Sequence, residues 1–169
     1  MGRKEQLMDI LANSQEPVAG RELADRLGVS RQVVVQHVAI LRARGVEVLA
    51  TSRGYMLPRE PAPYTRRAVL ATKHSPEETE EELFILVDHG VKVLNVLVEH
   101  PLYGELCGNL MLQSRMDVQR FLERVKAEQA ALLSVLTDGV HLHTVEYQDS
   151  QSFEAALARL SEKGYLITD

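Results

Sequence analysis

The sequence predicts an α+β protein with two domains, a helical front domain and a back domain in which strands alternate with helices. Three observations predict this. Apolar residues recur at helical spacing up to about residue 44, whereas strand-like and helical segments alternate after residue 67. Pro58, Pro61 and Pro63 interrupt the chain between these regions. Finally, residues 1–67 hold 11 Lys and Arg against 7 Asp and Glu, while the remainder holds 8 against 17. The basic half predicts a surface for a polyanion.

Length and composition are those of an ordinary globular protein. The chain has 169 residues, of which 45% are hydrophobic and 25% charged, and this excludes disordered and fibrous classes. The longest apolar runs, such as Leu83–Val87, are far too short to cross a bilayer, and the cationic start lacks a signal-peptide core. Cys107 is the single cysteine, so no internal disulfide can form. We expect a cytoplasmic protein without a membrane partner.

The front domain, residues 1–58, is predicted to begin with three helices. The first covers residues 3–13, the second ends at Gly28, and the third runs from an N-cap at Ser30 to Arg44 before Gly45. Each has one apolar stripe, and these stripes comprise Leu7, Ile10 and Leu11, then Leu23, Ala24 and Leu27, then Val34, Val38 and Leu41. The spacing predicts a helix-turn-helix, whose third helix enters the major groove of DNA.

The outer face of the third helix carries side chains that can read base edges. Arg can bond guanine, Gln can bond adenine, and Val can contact a thymine methyl group. The helix start can also bind a phosphate. After Gly45, the segment VEVLATSRGYML predicts two short strands that form a wing, with Arg53 placed to reach the backbone or minor groove. The candidate DNA-binding residues are Ser30, Arg31, Gln32, Val35, Gln36 and Arg53. Over residues 3–57 the sequence closely resembles the winged helix-turn-helix of the biotin-repressor type.

The back domain, residues 68–169, follows a proline-rich linker at residues 59–67 that should restrict the orientation of the two domains. A capping box at Ser75–Glu78 starts its first helix, and a turn at residues 100–104 joins two strands into a hairpin. The predicted elements are strand 68–72, helix 76–88, strands 91–99 and 105–112, helix 114–128, strand 140–147 and helix 152–163. The order β-α-β-β-α-β-α predicts an open-faced sandwich, a mainly antiparallel sheet with helices on one face.

Three histidines of the back domain predict a metal site. His141 and His143 are two residues apart in a strand, so both imidazoles leave the same face of the sheet. His74 ends the first strand, just before an acidic helix start. Three imidazoles and one carboxylate suit nickel, zinc or iron. Glu78 and Glu82 lie one helical turn apart, and spacing alone leaves both open as the carboxylate ligand.

The back half as a whole resembles the 3H domain, named for its three histidines. The resemblance rests on ATKHSPEETEEELFILVDHG, VEHPLYGEL, GNLMLQSRMDVQRFLE and SVLTDGVHLHT. Together with the winged helix-turn-helix, the chain is similar to the niacin-responsive transcriptional repressors of the NiaR type. The resemblance implies a fold close to that of the phosphocarrier HPr and a metal held by His74, Glu82, His141 and His143, so it selects Glu82 over Glu78. It also implies a homodimer with nicotinic acid as co-repressor, acting on genes of niacin uptake and NAD synthesis.

We therefore expect a repressor rather than an enzyme, in which nicotinic acid binds near the metal and favours one spacing of the two recognition helices. A two-fold dimer predicts a palindromic operator in double-stranded DNA. His100 and Tyr103 are candidate effector contacts. Three alternatives remain open: a regulator that senses metal alone, a different small carboxylate as effector, and a metal-dependent enzyme, for which no nucleophile or general base is evident around the histidines.

Overall fold

The computed structural model of the protein describes residues 1–168 as two compact units. The first covers Met1–Glu60 and the second begins at Pro61. Within the described residues, no helix combines the length and the apolar character needed to cross a membrane.

The first unit is a three-helix bundle followed by a small hairpin. Its helices pack around a core of leucines and valines in which Leu7, Leu23 and Val34 are fully buried. The Ser30 hydroxyl accepts the backbone N–H of Val33 and so caps the third helix, as expected. The elements are α1 (Arg3–Asn13), α2 (Gly20–Leu27), α3 (Arg31–Ala43), β1 (Leu49–Thr51) and β2 (Gly54–Met56).

The hairpin of β1 and β2 is fixed to the helices by the segment that precedes α2. Val18 and Tyr55 exchange two backbone hydrogen bonds, with N···O distances of 2.8 and 2.9 Å. Gly54 begins β2 with φ +132°, and a Cβ atom there would lie 2.3 Å from the Val18 carbonyl oxygen. Only glycine allows this close approach of two backbones. The predicted wing is therefore held against the helices of the first unit by backbone hydrogen bonds.

The second unit is a four-stranded antiparallel sheet in the order β3-β6-β4-β5. Apolar residues of the sheet and of all three helices form one core, which includes Leu86, Leu112, Val145 and Leu160. The α+β class and the predicted order of elements are confirmed. The elements are β3 (Arg66–Lys73), α4 (Thr79–Asp88), β4 (Lys92–His100), β5 (Gly104–Leu112), α5 (Arg115–Ala127), β6 (Val140–Tyr147) and α6 (Ser150–Glu162), with short 3-10 helices at Pro76–Glu78 and Leu133–Thr137.

Several boundaries differ from the sequence prediction. Residues 66 and 67, predicted to belong to the linker 59–67, form part of β3, because Arg66 pairs with Tyr147 and Arg67 with Glu146. An ion pair of 2.8 Å between the Arg67 guanidinium and the Glu146 carboxylate accompanies this pairing. The last helix starts at Ser150 rather than at residue 152, because Asp149 accepts the first free N–H groups.

Candidate functional site

The three histidines and Glu82 come together between the sheet and helix α4. In the register of β3 and β6, Thr72 lies opposite His141 and Leu70 lies opposite His143, so both imidazoles point from β6 toward the helices. His74 follows the last residue of β3, and Glu82 lies in the first turn of α4. All four side chains are in the interior: Glu82 is fully buried and the histidines are at most 7% exposed.

Each imidazole is oriented by a hydrogen bond from Nδ1 to a backbone carbonyl. The acceptors are the carbonyl oxygens of Ser75 for His74 (2.8 Å), Gly139 for His141 (2.8 Å) and Asn95 for His143 (2.7 Å). A carbonyl can only accept, so each Nδ1 carries the proton. This leaves Nε2 of each ring as the atom available to a ligand, which is the arrangement typical of histidines that bind metals.

The three Nε2 atoms converge on the carboxylate of Glu82. His74 Nε2 forms a short contact with Oε2, His141 Nε2 lies 3.2 Å from Oε1, and His143 Nε2 lies 3.1 Å from Oε1. The rings of His74 and His141 pack edge to face with centroids 4.8 Å apart, as do those of His141 and His143. We call these four side chains the histidine cluster.

The charge of Glu82 dominates the electrostatics of the cluster. Burial raises the pKa of the Glu82 carboxyl, but the charge of His143 and the close contacts of all three imidazoles outweigh it and hold the pKa well below its usual range. Burial lowers the pKa of His74 and His143, yet their contacts with Glu82 raise both values above that of a free imidazole. Without a metal, the cost of burying the Glu82 carboxylate is thus offset by its attraction to the imidazoles around it.

The cluster fits a divalent transition metal. Ligand atoms of His74, Glu82 and His141 all lie within 4.8 Å of one another. His143 Nε2 is buried and, among the described residues, makes no well-directed hydrogen bond, although Glu82 lies close to it. A buried polar atom left in this state normally has a partner. Three imidazole nitrogens and one carboxylate oxygen form a donor set suited to nickel, zinc or iron.

Glu78, which the spacing left open as a ligand, does not contact the three imidazoles. Its carboxylate accepts a hydrogen bond of 3.0 Å from the Ser75 hydroxyl, at the edge of the 3-10 helix that precedes α4. Glu82 is buried beneath the imidazoles instead. The two residues are separated in this way because the first turn after Ser75 is a 3-10 turn, so that α4 begins only at Thr79.

Sequence reasoning missed three residues that complete the cluster. The fully buried Thr72 hydroxyl lies 2.8 Å from His141 Nε2. Asn95 lies at a register irregularity of β4, where its carbonyl accepts from His143 and its amide oxygen accepts the N–H of Thr144. Gly139 supplies the carbonyl for His141. Thr72 could have been found from the sequence, since it precedes His74 by two residues in a strand-like segment. Asn95 and Gly139 orient the imidazoles through their backbone, which carries no sequence signal.

The candidate effector residues His100 and Tyr103 lie in the turn between β4 and β5. The His100 Nδ1 accepts the backbone N–H groups of Leu102 and Tyr103, and the two rings have centroids 5.0 Å apart. Tyr103 is 70% exposed. These two residues therefore lie next to each other at the protein surface.

The candidate DNA-binding residues of α3 share its exposed face. Arg31, Gln32, Val35 and Gln36 lie on this face, while Val34 and Val38 on the opposite side are buried. The stem and Nε of Arg31 lie against Gly20, at the start of α2. In the turn of the wing, Arg53 forms an ion pair of 2.7 Å with Glu16. The Glu16 carboxylate would therefore compete with a phosphate for the Arg53 guanidinium.

Comparisons with known proteins identify both parts of the chain. Residues 3–56 match the model of an HTH domain family, and residues 67–169 match that of the 3H domain. The transcription repressor NadR of Bacillus subtilis is 43% identical over 169 residues, which cover 99% of this chain and 94% of the relative. A Thermotoga maritima protein described as probable transcription repressor NiaR is 41% identical over 167 residues, with coverages of 99% and 94%.

Both relatives are named as transcription repressors rather than enzymes, so the expectation of a regulator is confirmed at the level of the family. The resemblance noted from the sequence is likewise confirmed, because each of its two parts is matched separately. The chain belongs to the family of transcription repressors, with NadR and NiaR among its members, that joins an N-terminal HTH domain to a C-terminal 3H domain.

Proposed function

We propose that this protein is a niacin-responsive repressor: a homodimer that binds a palindromic DNA operator, with nicotinic acid as co-repressor and a divalent metal in the histidine cluster. A repressor of this kind works in the cytoplasm, where it can reach DNA. The genes that it controls are those of niacin uptake and NAD synthesis, as for other niacin-responsive repressors.

The observation that carries the proposal is the buried convergence of three Nε2 atoms on Glu82. Burial of a carboxylate with three imidazoles is costly, and a bound cation would compensate for it. A divalent metal held by His74, Glu82, His141 and His143 would supply a positive charge that favours an anionic ligand nearby. The backbone carbonyls that orient each ring keep this donor set preorganised.

The exposed face of α3 supports the DNA-binding part. Arg31 and Gln32 lie in its first turn, where free N–H groups also favour a phosphate. Nicotinic acid can act as co-repressor only if it binds the DNA-competent state of the dimer more tightly than the other state. The direct prediction is that nicotinic acid strengthens operator binding.

Calorimetric titration of nicotinic acid tests effector and metal together. Nicotinic acid is titrated into metal-loaded and into chelator-stripped full-length protein, with nicotinamide as the control ligand. We expect binding of nicotinic acid to the metal-loaded protein only. The absence of binding in both states would contradict the effector assignment, and a regulator that senses metal alone would become the leading account.

A selection from random duplex DNA tests the repressor and identifies its operator in one experiment. The protein is loaded with metal, and selection is run with and without nicotinic acid. We expect enrichment of an inverted repeat that depends on nicotinic acid, together with a dimer mass in light scattering. Enrichment that depends on metal but is indifferent to nicotinic acid would favour the metal sensor instead.

A further inference from the structure

A cleft lies directly beside the histidine cluster. It has a volume of about 510 Å³, which is in the range of pockets for small ligands. One wall is made by the end of β3 and the residues after it, including Lys73 and His74, and another by Tyr165 after α6. The 3-10 helix at Leu133–Thr137 contributes Ser134 and Val135. His74 belongs both to the cleft and to the cluster, so the two sites are adjacent.

One cation of the cleft has no partner among the residues that the structure describes. Of its two lysines, Lys163 forms an ion pair of 2.6 Å with Glu81, which also accepts a hydrogen bond from the Tyr165 hydroxyl. The ammonium group of Lys73 has no ion pair or hydrogen bond to any part of the chain that the structure describes. Two carboxylates line the cleft as well; that of Glu78 accepts a hydrogen bond from Ser75, and that of Asp138 is exposed. Lys73 is therefore the group that can receive an anion.

A second polar group in the cleft is also without a partner. Ser134 is only 6% exposed as a residue, but its hydroxyl is not among the fully buried polar atoms, and within residues 1–168 it forms no hydrogen bond. Its backbone carbonyl, in contrast, accepts from Thr137, Asp138 and Gly139. Since Ser134 lines the cleft, a ligand atom can supply that partner.

The remaining wall is aromatic. The rings of His74 and Tyr165 pack edge to face with centroids 5.3 Å apart. Such a wall suits a flat ring, and aromatic pairs of this geometry are favourable beyond the area that they bury. A planar ligand with a negative charge at one end and a hydrogen-bond acceptor elsewhere on its ring would match the three features together.

We propose that this cleft is the effector site, and that it binds a small aromatic monocarboxylate with the carboxylate on Lys73, a ring acceptor atom on Ser134, and the ring against His74 and Tyr165. The proposal rests on the proposed function for the identity of the ligand, nicotinic acid, whose ring nitrogen is such an acceptor. It places the effector away from the exposed turn of His100 and Tyr103, because neither residue lines this cleft.

The test measures binding of nicotinic acid to metal-loaded, full-length variants by calorimetry. Lys73→Gln should weaken binding by about tenfold or more, because it removes a charge-assisted hydrogen bond. Lys73→Arg should retain most of the affinity. Lys126→Gln is the matched control, since Lys126 is an exposed lysine on α5 that does not line the cleft, and it should bind as the wild type does. The metal content of all variants should be unchanged.

Benzoic acid isolates the role of Ser134, because it keeps the carboxylate but has no ring nitrogen. The wild type should prefer nicotinic acid over benzoic acid by about threefold to tenfold, the range for one neutral hydrogen bond. Ser134→Ala should abolish this preference and leave the affinity for benzoic acid unchanged.

The failures of the two proposals are distinguishable. If the wild type binds nicotinic acid but Lys73→Gln and Ser134→Ala bind equally well, the cleft assignment is overturned and the proposed function stands. If the wild type binds no nicotinic acid, both are overturned. A loss of metal in Lys73→Gln also counts against the assignment, because Lys73 is exposed and is not one of the four side chains of the cluster.

Discussion

Glu82 is the residue on which the histidine cluster depends, because it is the one carboxylate that all three imidazoles share. Its full burial would strongly favour the neutral form in the absence of those partners. The same position would make it a ligand in the proposed metal site. The carboxylate and the imidazoles therefore stabilise each other electrostatically before any metal binds.

Replacing each glutamate in turn tests which of the two binds the metal, a question that sequence spacing left open. Glu82→Gln should weaken metal binding by more than the roughly tenfold to hundredfold expected for loss of an outer partner, because it removes a charged ligand. Glu78→Gln, one helical turn away and hydrogen-bonded to Ser75, is the matched control and should keep its metal. Metal content after dialysis, measured by atomic emission, provides the comparison. Equal metal retention in both variants would argue against Glu82 as a ligand.

We expect Arg31 to read a base in the proposed DNA complex, because it lies in the first turn of the exposed face of α3. Arg31→Ala should cost about 1–3 kcal/mol of binding free energy and relax the preference at one base position. Fluorescence anisotropy with the selected duplex and its single-base variants measures both effects. A loss that is uniform over all sequences would show that Arg31 contacts a phosphate instead. Arg26→Ala, which removes an exposed pair with Glu22, serves as the control.

At the scale of elements, the turn before β6 connects two parts of the cluster. Gly139 has φ +93°, its carbonyl accepts from His141, and a Cβ atom there would lie 2.4 Å from the His74 carbonyl oxygen. Two histidines from different elements are thus positioned by one residue without a side chain. The close approach leaves no room for any other amino acid unless the backbone at His74 moves.

Substitution at this turn should therefore affect stability and metal binding together. Gly90→Ala, at φ +73° with open space around it, should cost only the strain of a left-handed residue, about 1–2 kcal/mol. Gly139→Ala should cost more, and in addition should weaken metal binding, because His74 must shift. Urea unfolding and metal titration of the two variants measure the difference. Equal behaviour would contradict a positioning role for Gly139.

For the whole molecule, metal binding should be coupled to the free energy of unfolding, because the cluster exists only when β3, α4 and β6 are assembled. At a free metal concentration about a hundred times the Kd, the stabilisation is about 2.7 kcal/mol, so the unfolding midpoint should rise by about 5–10 °C. Calorimetric scans with metal and with chelator measure this shift. In the His141→Ala, His143→Ala double variant the shift should vanish, and its persistence would mean that the metal binds elsewhere.

The sequence by itself determined the order of elements, the α+β class and the pair of histidines in β6. These follow from local rules: helical and strand periodicity, capping residues, and the alternation of side chains in a strand. It also determined the winged helix-turn-helix, since Ser30 caps the helix that carries the stripe of Val34 and Val38. The exposed face of α3 is the complement of that stripe, so its composition could be read directly.

Spacing left the carboxylate open and the family resemblance selected Glu82, but only the tertiary structure shows which carboxylate meets the histidines and where the proposed ligand site lies. Glu82 rather than Glu78 meets the imidazoles because a 3-10 turn shifts the start of α4, a detail that depends on packing. Packing also decides where the carbonyls of Asn95 and Gly139 and the hydroxyl of Ser134 lie, so their roles could not be predicted from the sequence. Backbone atoms carry no residue identity, and residues far apart in sequence become neighbours only through the register of the sheet.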